Sequence, residues 1–217
     1  MTFNQTEFLQ KALIHNGHHI PSAIQEQMLH YLDLMREWNR VFNLTSIRDP
    51  KEMIILHLLD SLSIHPYLHG KNIIDIGTGA GLPGIPLALH NPEKHFVLLD
   101  SNHKKTRFLN QVIYDLKINN VEVVHTRAED YNKQQFDSIL SRAFSELLVM
   151  LLRTEHLISD TGQFLAMKGT YPEHELQEIP AEFKLINVYK LTIKELNAER
   201  HLVCMEKNTD GKNNRDR

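Results

Sequence analysis

A glycine-rich turn between two carboxylates is the part of the chain best suited to bind a small polar ligand. An apolar run ends at Asp75, the turn GTGAG occupies residues 77–81, and a second apolar run closes on Asp100. Glycines permit positive φ and let a ligand lie against bare backbone. A carboxylate at the end of the second strand can accept hydrogen bonds from ribose hydroxyls. The pattern therefore predicts a strand, turn, helix and strand that bind a nucleotide.

Two alignments of the glycines imply different ligands. Gly79, Gly81 and Gly84 fit the dinucleotide fingerprint GxGxxG, whereas Gly77, Gly79 and Gly81 give GxGxG. In the first alignment the strand should run into Gly79, yet Gly77 already breaks it. Asp75 suits a cationic amino group or the amides of the turn, and a pyrophosphate would gain nothing from its negative charge. S-adenosylmethionine is favoured over NAD, which remains the alternative.

The composition limits the classes of function. With 217 residues, of which 41% are hydrophobic, the chain can bury the core of one α/β domain. A net charge of −3 gives no support for nucleic-acid binding, so any basic patch has to be local. The single Cys204 excludes an internal disulfide and a multi-cysteine zinc site, and we expect no bound metal. Because no apolar run approaches the length of a membrane span and the N-terminus lacks a signal-peptide pattern, we expect a cytoplasmic protein that does not bind membranes.

The first part of the chain, residues 1–70, has the apolar spacing of helices. Ser22 and Gln25 fit a capping box at the start of one helix. Asp49 followed by Pro50 predicts the start of another. We interpret residues 1–70 as an N-terminal helical cap that covers one end of the sheet.

From residue 71 to residue 206 the pattern alternates between strand and helix, which predicts a mainly parallel sheet. The predicted strands are 73–76, 96–99, 121–125, 136–140, 163–167, 185–193 and 201–206. Only residues 194–200 join the last two strands, so these form an antiparallel hairpin that supplies one reversed edge strand. Residues 207–217 are polar and without periodicity, and we expect them to be disordered.

The carboxyl ends of the strands are where open α/β sheets bind their ligands. Ala128 and Glu129 follow the third strand, where Glu129 could accept from an adenine amino group while Ala128 leaves space for the ring. An exposed helix-capping acid is the alternative for Glu129. Arg142 follows the fourth strand and could pair with a cofactor carboxylate, or else form a surface ion pair with Glu146.

Two absent features narrow the reaction. The fourth strand does not end in the Asp/Asn-Pro-Pro-aromatic run that methylases of exocyclic amines use. Cys204 lies in the closing hairpin, so we do not expect the cysteine nucleophile that activates a pyrimidine C5. An acceptor with a free lone pair, such as guanine N7, remains possible because it carries no proton to remove. Such an enzyme works by alignment and electrostatic support.

Nine short motifs occur in order over nearly the whole chain. They are NRVFNLTSIRD (39–49), HLLDS (57–61), DIGTGAGLPGIP (75–86), LLDS (98–101), RFL (107–109), RAE (127–129), SRAF (141–144), KG (168–169) and ERHLV (199–203). In these motifs the chain resembles the RsmG (GidB) family, methyltransferases of bacterial small-subunit ribosomal RNA. The joined glycine string and SRAF motif are far more specific than a bare glycine motif.

The resemblance implies a Rossmann-like class I S-adenosylmethionine-dependent methyltransferase with a mainly parallel seven-stranded sheet, an antiparallel edge hairpin and an N-terminal helical cap. It implies transfer of a methyl group to N7 of guanine 527 in the 530 loop of 16S rRNA, on naked rRNA or on the 30S particle. It places the cofactor on Gly77, Leu82, Ala128, Glu129 and Arg142, with Asp100 as ribose acceptor, and the local pattern adds Asp75, Gly79 and Gly81. We expect a monomer.

Two weaker groups of polar residues stand outside that set. Arg127, Lys168 and Arg200 could together form a positive patch for RNA or the target base, with ordinary ion-paired surface as the alternative. Four polar residues of the cap are expected in capping or buried hydrogen-bond roles ahead of RNA contact: Asn43, His57, Asp60 and Ser61. Lys105, near the start of a helix where positive charge is unfavourable, is expected on a solvated face, with a phosphate partner as the alternative.

Two other functions stay open at this point. One is a methyltransferase that acts on a different RNA site, a small molecule or a protein, which the near-neutral charge permits. The other is a non-catalytic module that binds a nucleotide or RNA.

Overall fold

The structure, a computed structural model, describes residues 3–142 and 146–208. The helices are α1 (Gln5–His15), α2 (Ser22–Phe42), α3 (Pro50–Met53), α4 (Asp60–Leu62), α5 (Gly84–His90), α6 (His103–Leu116), α7 (Leu147–Thr154) and α8 (Glu173–Gln177), and the π-helical residues Ile54–Leu59 join α3 to α4. The strands are β1 (Asn72–Ile76), β2 (His95–Asp100), β3 (Val121–His125), β4 (Phe136–Arg142), β5 (Ile158–Lys168), β6 (Phe183–Lys190) and β7 (His201–Lys207). Short 3-10 turns cover His65–Tyr67, Ala128–Asp130 and Glu155–Leu157.

The strands form one seven-stranded sheet in the order β3-β2-β1-β4-β5-β7-β6. Strands β1 to β5 pair in parallel, and β7 is antiparallel to both β5 and β6. The mainly parallel sheet with an antiparallel edge hairpin is confirmed. The expected position of the reversed strand was wrong, because β7 lies inside the sheet and β6 forms the edge. Burial explains the order, since β7 is buried along most of its length while β6 is largely exposed.

The strand order reverses at β1, which lies between β2 and β4. At such a point the connections leave in opposite directions and open a crevice beyond the strand ends, where α/β sheets bind ligands. Asp75 of β1 pairs in register with Leu98 of β2 and Leu140 of β4. The sheet therefore brings the glycine turn, the end of β2 and the end of β4 to one edge.

The N-terminal helices share an apolar core with the helices that cover the sheet. Tyr31 of α2 stacks on Phe108 of α6 with ring centroids 6.3 Å apart, and Trp38 lies 5.7 Å from the same ring. The Tyr31 hydroxyl also donates to the Ala80 carbonyl at 2.7 Å, so α2 supports the glycine turn directly. The division of the chain into a cap of residues 1–70 and a domain of residues 71–206 stays a prediction.

One of the two predicted helix starts is confirmed. The Asp49 carboxylate accepts two backbone N–H groups at the start of α3. The capping box at α2 was wrong, because Pro21 occupies the cap position ahead of Ser22 and the Gln25 side chain donates to the Ile20 carbonyl. Pro21 is held extended there, at φ −57° and ψ 146°, so Ser22 is already helical.

The chain end differs slightly from the prediction. Strand β7 runs to Lys207, one residue beyond the predicted boundary, and the Asn208 amide donates to the Glu182 carbonyl. Residues 209–217, which make up most of the tail predicted to be disordered, lie outside the described residues. In the described part of the chain, no helix is both long and apolar enough to cross a membrane.

Three histidines meet where the loop after α1 packs on the end of α5. The ring centroids of His65 and His90 are 4.3 Å apart, and those of His18 and His90 are 6.3 Å apart. Burial, followed by the neighbouring histidines, lowers the pKa of His18 to about 4. Burial also lowers the pKa of His65 and His90. The folded protein therefore disfavours protonation of all three imidazoles.

The free energy of unfolding should contain a contribution from these imidazoles that is lost as the pH falls. Between about pH 6.5 and about pH 4 the unfolded chain takes up protons that the folded chain refuses, which favours unfolding. His18→Asn should reduce this pH-dependent loss, measured by urea unfolding with circular dichroism. His30→Asn, on the exposed face of α2, should lose as much as wild type. If His18→Asn and wild type lose equal stability over this range, the cluster does not control it.

Candidate active site

Two cavities open side by side at the carboxyl edge of the sheet. The first has a volume of about 430 Å³, and its lining includes Gly77, Asp100, Lys105, Arg127, Ala128 and Glu129. The second has a volume of about 470 Å³, and its lining includes His57, Asp60, Ser141, Arg142, Lys168 and Arg200. Most of the predicted site residues therefore line one cavity or the other.

The glycine turn has the positive-φ geometry that its sequence predicts. Gly77, Gly79 and Gly81 have φ of 64°, 65° and 94°. At Gly81 an added Cβ would lie 2.6 Å from Ile85 Cγ1 and 2.7 Å from Leu109 Cδ2, so only glycine fits without displacing them. The turn is therefore packed closely on α5 and α6.

Asp75 lies fully buried beneath the turn. Its Oδ2 accepts from Thr78 Oγ1 at 2.6 Å and from the Gly84 amide at 2.9 Å, so it joins the beginning of the turn to the start of α5. Burial raises the pKa of Asp75 to about 7, although both hydrogen bonds oppose the rise. Of the two roles left open for this acid, the structure shows the one in which it holds the turn. Direct contact with a ligand would require the turn to move.

Asp100 lies at the edge of the first cavity with both oxygens oriented by backbone. Its Oδ2 accepts from the Gly79 amide at 2.9 Å and its Oδ1 from the Asn102 amide at 2.8 Å. Each carboxylate oxygen has more than one acceptor position, so Asp100 retains capacity for a ribose hydroxyl. Lys105 Nζ lies 3.7 Å from Asp100 Oδ2 and lines the same cavity. The sequence predicts a solvated face or a phosphate partner for Lys105, and the contact with Asp100 is in neither prediction.

The far side of the first cavity combines apolar and acidic groups. Ala128 is buried, and the neighbouring Glu129 forms an exposed ion pair with Arg153, with 3.3 Å between Glu129 Oε1 and Arg153 Nε. Arg127 lines this cavity too. A small buried side chain beside an accessible carboxylate suits a flat ring that carries an amino group.

Arg142, at the end of β4, is held from the N-terminal helices. Its Nη1 donates to Asp60 Oδ2 at 3.1 Å and to the Leu56 carbonyl at 3.0 Å. The sequence predicts a cofactor carboxylate or Glu146 as the partner of Arg142. The contact with Asp60 is not indicated by the sequence pattern. Leu140 pairs with Asp75, and Arg142 and Gly77 each follow these residues by two positions; Arg142 lines the second cavity and Gly77 the first.

The three cations of the predicted positive patch do not lie in one cavity. Lys168 and Arg200 line the second cavity, whereas Arg127 lines the first. These two cations are already paired, Lys168 with Glu175 at 2.7 Å and Arg200 with Asp60 at 2.8 Å. Ala143 and Phe144, which complete the SRAF motif, lie outside the described residues.

The polar residues of the helical part occupy structural positions of the kind expected. His57 Nε2 lies 3.0 Å from Thr45 Oγ1, and Ser61 Oγ donates to the His57 carbonyl. Burial, with the nearby Arg142 charge, lowers the pKa of His57 to about 4, so the ring is neutral at pH 7. Asn43 ends α2 in the left-handed conformation at φ 48°. Leu82 is buried in the apolar cluster behind the turn.

The groups that line the first cavity fit the parts of S-adenosylmethionine. Asp100 can bind the ribose, Ala128 and Glu129 the adenine, and the positive-φ backbone from Gly77 leaves room for a ligand without side-chain interference. Arg142, which lines the second cavity, carries the charge that pairs with an α-carboxylate.

Solved structures share the arrangement of elements seen in this chain. Over 69% of this chain and 77% of the other, the protein superposes on ribosomal protein L11 methylase from Lactobacillus delbrueckii subsp. bulgaricus with a TM-score of 0.53 and 16% identity. Over 68% of this chain and 47% of the other, it superposes on Trm5b from Pyrococcus abyssi with a TM-score of 0.51 and 15% identity. At these identities the likeness shows the fold, which is that of a Rossmann-like class I methyltransferase.

Sequence comparison gives the family. Residues 24–203 match the model GidB, described as rRNA small subunit methyltransferase G. Proteins named ribosomal RNA small subunit methyltransferase G from Idiomarina loihiensis and Escherichia coli O1:K1 / APEC are 46% and 45% identical to this chain, covering 84% and 85% of it and 89% of each relative. The chain belongs to this family. It is an S-adenosylmethionine-dependent methyltransferase, which confirms the predicted enzyme class and cofactor.

Gly81→Ala should lower the affinity for S-adenosylmethionine by roughly tenfold or more, because the new Cβ displaces the turn from Ile85 and Leu109. Isothermal titration calorimetry measures the affinity. Gly17→Ala is the matched control, since Gly17 also has positive φ, at 80°, but its Cβ would meet nothing within 4 Å. That variant should lose about 1 kcal/mol of stability and no affinity. Wild-type affinity in a folded Gly81→Ala variant would show that the turn tolerates displacement.

Proposed function

We propose that the protein transfers a methyl group from S-adenosylmethionine to N7 of a guanine in 16S ribosomal RNA, at position 527 of the 530 loop. The observation that carries the proposal is the placement of a cavity suited to a nucleoside beside a second cavity lined by cations, in a chain of this family. Gly77, which directly follows β1, lines the first cavity, and Arg142, at the end of the neighbouring strand β4, lines the second.

The first cavity is the proposed cofactor site. Glu129 would accept from the adenine amino group and Asp100 from the ribose, while Arg142 would bind the α-carboxylate. S-adenosylmethionine supplies a methyl group on a positively charged sulfur, which an unprotonated ring nitrogen accepts without a general base. The chain contributes orientation, and the ordered turn above Asp75 keeps the backbone in place for it.

The second cavity is the proposed site of the target base. Lys168 and Arg200 present donors of the kind that guanine O6 and phosphate oxygens accept, and the lining from Ile47, Leu56 and Met167 gives an apolar surface for a flat ring. His57 is neutral at pH 7 and adds no positive charge to this cavity. Arg127, on the other cavity, is assigned to rRNA phosphate at the entrance.

The interaction partner is proposed to be the rRNA itself or the assembled 30S particle, met by a monomer in the cytoplasm. Lys168 and Arg200 are each paired with a carboxylate, so little unpaired positive charge is left in the second cavity for phosphates. This supports recognition of a single exposed base with few phosphate contacts. Such a site agrees with a net charge of −3, because it needs no broad basic surface.

Cys204 should be dispensable for transfer. It is buried in β7, and burial raises the pKa of its thiol to about 12, so a thiolate is absent at neutral pH. Cys204→Ala should keep at least roughly half of the wild-type kcat/KM, with a stability loss of about 1 kcal/mol from the small cavity. A loss of methyl transfer in a folded Cys204→Ala variant would contradict a mechanism based on alignment.

The direct test uses labelled S-adenosylmethionine with 16S rRNA, naked and in 30S particles from a strain that lacks the modification. Label is expected at N7 of guanine 527, mapped by cleavage at the methylated base and by mass spectrometry of RNA fragments. Label at another RNA site, on protein or on a small molecule would overturn the substrate assignment. Binding of S-adenosylmethionine with no product on any of them would favour a non-catalytic module, and preference for NAD would overturn the cofactor site.

A further inference from the structure

The buried carboxylate of Asp60 joins two arginines that come from different parts of the sheet. Its Oδ2 lies 3.1 Å from Arg142 Nη1, and its Oδ1 lies 2.8 Å from Arg200 Nε. The Asp60 side chain is only 5% exposed, whereas the two arginine side chains are 21% and 22% exposed. Arg142 ends β4 and Arg200 directly precedes β7. One carboxylate therefore fixes the direction of both guanidinium groups at the second cavity.

The backbone beside Asp60 has an irregularity that serves the same contact. In an α-helix the Asp60 amide would donate to Leu56, but here it donates to the Ile55 carbonyl, as a π-helical turn requires. The Leu56 carbonyl is thereby relieved of that bond, and it accepts from Arg142 Nη1. Single π-helical turns are frequently found at functional sites. The Leu56 carbonyl and the Asp60 side chain therefore both hold Arg142.

These contacts leave other donors of each arginine for a ligand. Both contacts of Arg142 use Nη1, and Arg200 uses Nε toward Asp60 and Nη1 toward the Glu199 carbonyl. A guanidinium carries five N–H donors in a fixed plane. Among the described residues, Nη2 of both arginines and Nε of Arg142 thus stay available at the cavity.

Removing the carboxylate would leave two like charges close together. Arg142 and Arg200 would repel each other, and both are exposed enough to turn toward solvent. A long side chain that turns outward loses the preorganised geometry on which a bidentate contact depends. Because Arg142 is assigned to the cofactor and Arg200 to the rRNA, removal of the carboxylate would weaken the binding of both ligands.

We propose that Asp60 is a positioning residue that orients Arg142 for the cofactor carboxylate and Arg200 for the rRNA, so that both binding steps depend on one carboxylate. The rRNA half rests on the proposed function, and the cofactor half does not. The Asp60 side chain is 5% exposed and each of its oxygens is paired with an arginine, so its proposed role is exerted through the two arginines.

The test is a pair of crossed double-mutant cycles on the full chain. Asp60→Asn is made alone, with Arg142→Ala and with Arg200→Ala. Affinity for S-adenosylmethionine is measured by calorimetry, and affinity for a 16S rRNA transcript by filter binding. Thermal unfolding confirms that each variant is folded. If Asp60→Asn does not fold, Asp60→Glu, which keeps the charge and moves the carboxylate by one methylene, replaces it in both cycles.

Asp60→Asn alone should weaken both affinities by roughly tenfold, within the range of couplings between residues in one network. In the Arg142→Ala background its effect on cofactor affinity should fall below roughly twofold, while its effect on rRNA affinity persists. In the Arg200→Ala background the pattern should reverse. Such dependence on the partner arginine is something that a general loss of packing does not produce.

Asp33→Asn is the matched control, because Asp33 pairs with Arg36 at the same 3.1 Å distance in an exposed position on α2. It should leave both affinities unchanged. Equal effects of Asp60→Asn with and without each arginine would overturn the proposal. So would an effect on one ligand alone when both bind wild type. If the transcript does not bind wild type, the rRNA assignment fails, and the cofactor cycle still decides the role of Asp60 toward Arg142.

Discussion

The hydrogen bonds that the buried Asp75 accepts from Thr78 and Gly84 are the interaction on which the site depends. They tie Thr78, at the beginning of the turn, to Gly84, the first residue of α5, directly above the strand where the sheet order reverses. Without that tie, the positive-φ backbone would have no fixed relation to the ends of β2 and β4. Burial raises the pKa of Asp75 to about 7, because a charged carboxylate is costly to bury. The fold nevertheless uses this group to stabilise the turn.

The N-terminal helices complete a site that the sheet alone leaves unfinished. Tyr31 supports the turn through the Ala80 carbonyl. The Leu56 carbonyl in the π-helical segment and the Asp60 side chain at the start of α4 accept hydrogen bonds from Arg142. Arg200, from the closing hairpin, meets the same Asp60. The helical part, the parallel sheet and the hairpin thus converge on one cavity, and the geometry there is held by a few buried polar contacts.

Periodicity and the glycine string predict the sheet, the turn and the acid at the end of β2, because each depends on neighbours close in sequence. The partner of Arg142 depends on an 82-residue separation and on a π-helical turn within the run IILHLL, whose composition is that of an ordinary buried helix. The place of β7 inside the sheet follows from burial that only the assembled fold reveals. The local sequence pattern predicts the cofactor class, whereas the rRNA substrate is indicated only by the resemblance and by family membership.

The proposed function requires the cofactor in the cavity lined by Gly77 and the target base in the cavity lined by Lys168 and Arg200. A crystal structure with S-adenosylhomocysteine and an RNA hairpin that carries the 530-loop sequence would show whether both are so placed. We expect the adenine beside Ala128 and Glu129, the carboxylate at Arg142, and an extruded guanine between Lys168 and Arg200 with N7 facing the sulfur. A guanine bound outside the second cavity, or a nucleoside bound away from the glycine turn, would contradict it.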